Sequence, residues 1–126
     1  MTNIEVDSLD AIKTRVHALA KEKGWHEDTT ETRGQFIERT CNNLHNEVSE
    51  LHEAYRNGQL DAPCDKAVKM REAGIVPITC LEEELADIII RVLDSAARLN
   101  VDIATAVERK HAFNATRAYR HGGKLS

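Results

Sequence analysis

An all-α fold follows from three features of the sequence. Aromatic residues make up only 4% of the chain, and it holds two prolines and six glycines. With Ala, Leu, Glu, Lys and Arg abundant, that composition favours helices over sheets. Apolar residues recur at steps of three and four through two long stretches, and no segment reads convincingly as a strand. At 126 residues, with 41% hydrophobic and 30% charged residues, residues 1–126 make one ordinary globular domain. The expected architecture is a bundle of four to five helices.

The elements follow from their start and stop signals. Ser8 or Asp10 caps a first helix to about Lys23, with Ile12, Val16 and Leu19 on one face and Gly24 as its stop. Residues 24–34 (GWHEDTTETRG) are polar and read as a loop. A long second helix runs to Asn57 or Gly58. Its Ile37, Cys41, Leu44, Val48, Leu51 and Tyr55 step by four and three in a heptad-like seam. Residues 58–78 hold both prolines and read as a variable connection with one short helix around 65–72. Thr79 caps the next long helix, with Glu82 three residues on to complete a capping box, and that helix runs to about Asn100. Val101 and Asp102 open a last helix to about Tyr119, and residues 120–126 form a basic tail.

Segment 82–94, EEELADIIIRVLD, sets acids directly against an apolar run. At about 100° per residue, Glu47 and Glu50 lie roughly 80° and 140° to one side of the second helix's seam. On the helix after Thr79, Leu81, Leu85, Ile88, Ile89, Val92, Ala96 and Leu99 make the expected core stripe. Glu84, Asp87 and Arg91 then fall roughly 100°, 160° and 120° to one side of it. If the two helices pack antiparallel along their seams, four carboxylates converge, and such a group needs a cation among them. Oxygen-only ligands select Mg²⁺ or Mn²⁺, ions that keep waters and bind phosphates. Each acidic pair alone also fits a solvated helix face. Glu82 is assigned to the cap and Glu83 to solvent. Arg91 reads as an ion-pair partner that orients Asp87. Ala86, Ile90, Leu93 and Ala97 form a second apolar stripe, which predicts a homodimer or homotetramer.

Composition narrows the function classes. A net charge of −4 argues against a general nucleic-acid surface. Three widely spaced cysteines form neither a disulfide framework nor a zinc site and suit a reducing cytosol. The opening MTNIEVDSLD has no apolar signal core, and no stretch approaches a membrane span, so a cytoplasmic location with no membrane partner is expected. From Arg109 onward the chain is basic. Lys110, Asn114 and Arg117 share one face of the last helix at i, i+4 and i+7, either to meet phosphate or to complement the helix dipole.

Three segments in order, NEVSELHEAYR, EEELADIIIRVLD and KHAFNATRAYRHGGK, resemble the signature segments of the MazG-like all-α nucleoside triphosphate pyrophosphohydrolases. That superfamily includes dCTP pyrophosphatases and dimeric dUTPases. Its motif is EExxE followed by ExxD. Glu47 and Glu50 match the second and third acids of the first half, and Glu84 and Asp87 match the second half, while Asn46 stands where the first acid would be. KGW at 23–25 and the RHGGK end resemble a small bacterial and phage branch.

The resemblance implies Mg²⁺-dependent hydrolysis of a nucleoside triphosphate to the monophosphate and pyrophosphate. Glu47, Glu50, Glu84 and Asp87 would be the metal ligands, with one of Glu47 or Glu50 acting as base instead of, or as well as, ligand. Lys110, Asn114 and Arg117, with Tyr119 nearby and His121 and Lys124 in the tail, would contact phosphate or sugar. Trp25, the one tryptophan, would stack on a base or else staple the first two helices together. Two other readings are a non-catalytic helical interaction module and a di-iron carboxylate protein. The second needs Glu-x-x-His twice, and the chain has that spacing once, at Glu108 and His111.

Overall fold

Four of the five helices begin on an oxygen side chain that takes a backbone N–H. In the computed structural model, which describes residues 4–28 and 30–118, the helices are α1 (Leu9–Glu22), α2 (Arg33–Arg56), α3 (Ala67–Glu72), α4 (Cys80–Arg98) and α5 (Ile103–Thr116). Ser8 caps α1, Thr32 caps α2, Thr79 caps α4 and Asp102 caps α5. The Thr79–Glu82 capping box forms as expected. A second box, Thr32 with Gln35, starts α2 inside the stretch read as loop. The short helix of the connection is α3. Among the described residues there is no strand, only an isolated pairing of Pro63 with Thr79.

The stops are equally local. At Gly24 (φ +86°) the N–H bonds back to Lys21 O at 3.1 Å and that of Trp25 to Ala20 O at 3.0 Å. This double bond needs a left-handed residue, which glycine adopts without strain. Asn100 (φ 57°) closes α4 in the same way, with Asn100 N–H on Ala97 O and Val101 N–H on Ala96 O.

α4 is the central helix, packed between α1 and α2, while α5 leans on α1. α2 and α4 run antiparallel: Thr40 Oγ1 meets Ser95 Oγ at 3.0 Å, and Glu47 meets Arg91 further along. Buried apolar residues among those described are few, namely Phe36, Cys64, Ala67, Leu93 and Ala96. No described helix is long and apolar enough to cross a membrane.

The expected faces of α4 are mixed: Ala96 of the core stripe is buried, and Ile90 of the second stripe is 44% exposed. Leu93, assigned to a partner-seeking stripe, is the most buried of these side chains at 2% exposure, with Ala86 and Ala97 half-buried beside it. Leu85 and Ile89, assigned to the core, are 46% and 54% exposed. On α2, Val48 and Tyr55 of the seam are likewise 50% and 65% exposed, whereas Glu47 is buried. α1 packs on α4 beside Leu93. Cys41, Val48 and Tyr55 on α2 and Leu85 and Ile89 on α4 are left exposed, while the rest of each seam is at least half-buried.

Candidate functional site

Three of the four expected acids come together, although much of each expected seam is exposed. α2 carries Glu47 and Glu50 one turn apart, and α4 carries Glu84 and Asp87. One carboxylate oxygen from each of Glu47, Glu50 and Glu84 lies within 4.8 Å of the others. Asp87 adjoins them: burial and then the Glu47 charge raise its carboxyl above the usual range. Glu84 is pushed up to about 7, by burial first and then by the charges of Glu50, Asp87 and Glu83. Glu47 Oε2 and Glu84 Oε2 are buried and have no hydrogen-bond partner among the described residues. Orphaned buried carboxylate oxygens cost free energy unless a donor or cation reaches them. These four acids, crowded and short of donors, fit a hard divalent cation such as Mg²⁺ or Mn²⁺.

A cleft of about 460 Å³ opens beside Glu47 and Asp87, with Trp25, Ile90 and Arg91 in its walls. A second, of about 380 Å³, opens beside Glu50 and Glu84. Arg91 joins the acids to the first cleft. Its Nε donates to Glu47 Oε1 at 3.3 Å, and its guanidinium lies 4.5 Å from the Trp25 ring centroid. Arg91 therefore pairs with Glu47, not with the expected Asp87, because α2 presents its carboxylate directly across the helix pair. Trp25 is half-exposed, with its ring against Arg91. The double bond at Gly24 sets where this indole emerges from α1.

Lys66, which carried no sequence signal, lines both clefts. Its ammonium donates to Glu83 Oε1 at 2.9 Å and Asp65 Oδ1 at 3.0 Å, and Glu83 foremost holds it charged. Glu83 is thus a largely buried ion-pair partner, 12% exposed, rather than a solvated acid. The connection reaches the site because Cys64 N–H bonds to Ile78 O and Cys80 N–H to Ala62 O, which folds residues 62–66 back onto the start of α4. Only that pairing of neighbouring loop segments could have signalled Lys66.

The residues of α5 do not join the acids within one chain. Lys110 and Arg117 lie over their own helix's Phe113, at 5.1 and 5.7 Å from the ring centroid, and Asn114 is exposed. None of the three lines either cleft. Tyr119, Arg120, His121 and Lys124 lie outside the described residues.

A second polar cluster went unforeseen. His17 Nδ1 meets Asp94 Oδ1 at 2.7 Å, and His26 Nε2 meets Asp94 Oδ2 at 2.8 Å. Arg98 meets His26 Nδ1 at 3.1 Å and Glu31 at 3.0 Å, while Arg39 forks onto Glu31 at 2.9 and 3.0 Å. Arg has only donors, so His26 Nδ1 accepts and Nε2–H donates to Asp94. A metal on His26 Nε2 would need the opposite tautomer, with Nδ1–H aimed at a guanidinium. The cluster is a hydrogen-bonded latch that ties α1 and the loop after it to α4. No protein-family model matches this chain, and neither does any curated protein.

Proposed function

We propose that this chain is a Mg²⁺-dependent nucleoside triphosphate pyrophosphohydrolase of the MazG-like kind, converting a (d)NTP and water to the monophosphate and pyrophosphate. The observation that carries the reading is the pair of buried oxygens on Glu47 and Glu84, without a hydrogen-bond partner among the described residues, in a cluster with Glu50 that Asp87 adjoins. Glu47, Glu50, Glu84 and Asp87 would hold Mg²⁺ or Mn²⁺. Bound there, the ion would neutralise triphosphate charge and lower the pKa of a water nucleophile.

The chain's own groups supply the rest. Glu47 or Glu50 takes the water's proton, Arg91 fixes the orientation of Glu47, and Trp25 offers a flat apolar wall to a base. Lys66 holds a cation at the mouth of both clefts, where it can meet phosphate. Lys110, Asn114 and Arg117, and with them Tyr119, His121 and Lys124, enter this reading as phosphate or sugar contacts from a neighbouring copy. The working unit is a cytoplasmic homodimer or homotetramer, and the role is control or cleaning of the nucleotide pool.

The test is pyrophosphate release from a panel of dNTPs with Mg²⁺. Glu50→Gln and Asp87→Asn lose turnover with helicity unchanged. Full turnover in both variants would sink the assignment. The alternative, a non-catalytic helical module, predicts no release from any dNTP and no stabilisation by Mg²⁺.

A further inference from the structure

Arg39 and Arg98 have their guanidinium nitrogens well used, and Arg91 does not. Arg39 forks onto Glu31 through Nε and Nη2, and Arg98 spans His26 and Glu31 through Nη1 and Nη2. Among the described residues, Arg91 makes one hydrogen bond, the 3.3 Å contact from Nε to Glu47 Oε1, and its two terminal nitrogens make none. That contact is long for a charge-assisted bond, which ordinarily closes to about 2.7–2.9 Å. The side chain is 28% exposed and lines the Trp25 cleft, with Cζ 4.5 Å from the indole centroid. A guanidinium held against an aromatic wall with its fork open is a receptor for a planar or tetrahedral oxyanion. Of the three cations that line this cleft, Lys66 is already held by Glu83 and Asp65, and Lys23 sits at the exposed end of α1. Arg91 is the one placed between the acids and the indole.

We propose that Arg91 binds the phosphate next to the nucleoside, and that Glu47 masks it until that carboxylate ligates a divalent cation. The inference rests on the proposed nucleotide site and adds an order to it, cation before nucleotide. Glu47 turns Oε1 to Arg91 and buries Oε2 without a partner among the described residues. While Glu47 is bare, its charge cancels that of Arg91, and Asp87 beside it repels a phosphate further. Once Glu47 shares its charge with a cation, the single long bond to Arg91 gives way. Arg91 keeps its place on the indole and turns its open nitrogens to phosphate oxygens. A base lying against Trp25 reaches its α-phosphate through one sugar, so that phosphate is the one nearest this guanidinium. Coupling of this kind is reciprocal, so phosphate on Arg91 raises cation affinity by the same factor.

The test is binding without turnover. Each of the four deoxynucleoside monophosphates is titrated calorimetrically into the whole chain, once in EDTA and once in Mg²⁺. Arg91→Met weakens the tightest of them by at least about tenfold in Mg²⁺, the size of one charge-assisted hydrogen bond, and by less than about threefold in EDTA. Glu47→Gln exposes Arg91 without an ion and raises affinity in EDTA by at least about tenfold. Glu50→Gln takes the same charge from the same cluster without touching Arg91, and raises affinity by less than about threefold. The gain from Glu47→Gln disappears when Arg91→Met is added, and it is absent for the deoxynucleoside, which carries no phosphate. An equal loss on Arg91→Met in both media would overturn the proposal, as would equal gains from Glu47→Gln and Glu50→Gln. Monophosphate binding in Mg²⁺ that is indifferent to Arg91 sinks this inference and leaves the nucleotide site standing. If no monophosphate binds the unmodified protein in Mg²⁺, both fall together.

Discussion

Asp87 and Asp94 lie two turns apart on nearly the same face of α4, line the same cleft, and have opposite surroundings. Asp94 receives His17 and His26, and the chain of partners continues through Arg98 to Glu31 and Arg39. Asp87 faces Glu47, Glu50 and Glu83, and the charge of Lys66 partly offsets them. A polar cluster whose members satisfy one another holds a fold together. One that leaves buried oxygens unmet weakens the fold and invites a ligand. Two aspartates of one helix thus separate into a structural and a chemical role by their neighbours alone.

The largest effects should fall on opposite observables. In the proposed enzyme, Asp87→Asn and Glu50→Gln lower kcat/KM by at least about 10³-fold, about 4 kcal/mol, with little change in stability. Asp94→Asn instead costs about 1–3 kcal/mol in urea unfolding, because the Asn amide group turns a donor towards one of two histidine donors. A large stability loss at Asp87 with none at Asp94 would invert the comparison.

Acidity sharpens it further. Folded Glu84 keeps its proton to about pH 7, whereas an unperturbed glutamate loses it near 4.5. Between those values the folded state binds more protons than the unfolded chain, so stability falls as pH rises through this window. Thermal melts without divalent cations should therefore drop in midpoint from pH 5 to pH 8. Glu84→Gln should flatten that slope, and Mg²⁺ at pH 8 should reverse it in the unmodified protein. A smaller effect belongs to the hinge beside the cleft. Gly24→Ala should cost about 1 kcal/mol, from the left-handed backbone. The added Cβ would also meet Glu27 Oε1 at 2.9 Å, a flexible tip that can move aside.

Much of this was legible in the residues themselves. Ser8, Thr79 and Gly24 mark helix ends through bonds to near neighbours, so sequence alone locates them. Each i, i+3 acid pair rides one face of a continuous helix, as spacing predicts, but whether the two pairs meet depends on how α2 and α4 pack, which spacing does not fix. The faces of α4 were not legible. Leu85, Ile89, Ile90 and Leu93 are equally apolar, and periodicity cannot tell that Leu93 is buried while the other three stay about half-exposed. Lys66 sits in an aperiodic connection, and His26 finds Asp94 across 68 residues. Neither has a local signature.

The stacking of Arg91 on Trp25 gives the molecule a built-in optical reporter. The same guanidinium holds Glu47, so a cation that competes for that carboxylate also changes what lies against the indole. As the chain has one tryptophan, indole emission excited selectively over tyrosine comes from this position alone. Occupancy of the acids can then be followed by fluorescence without a label and before any substrate is known.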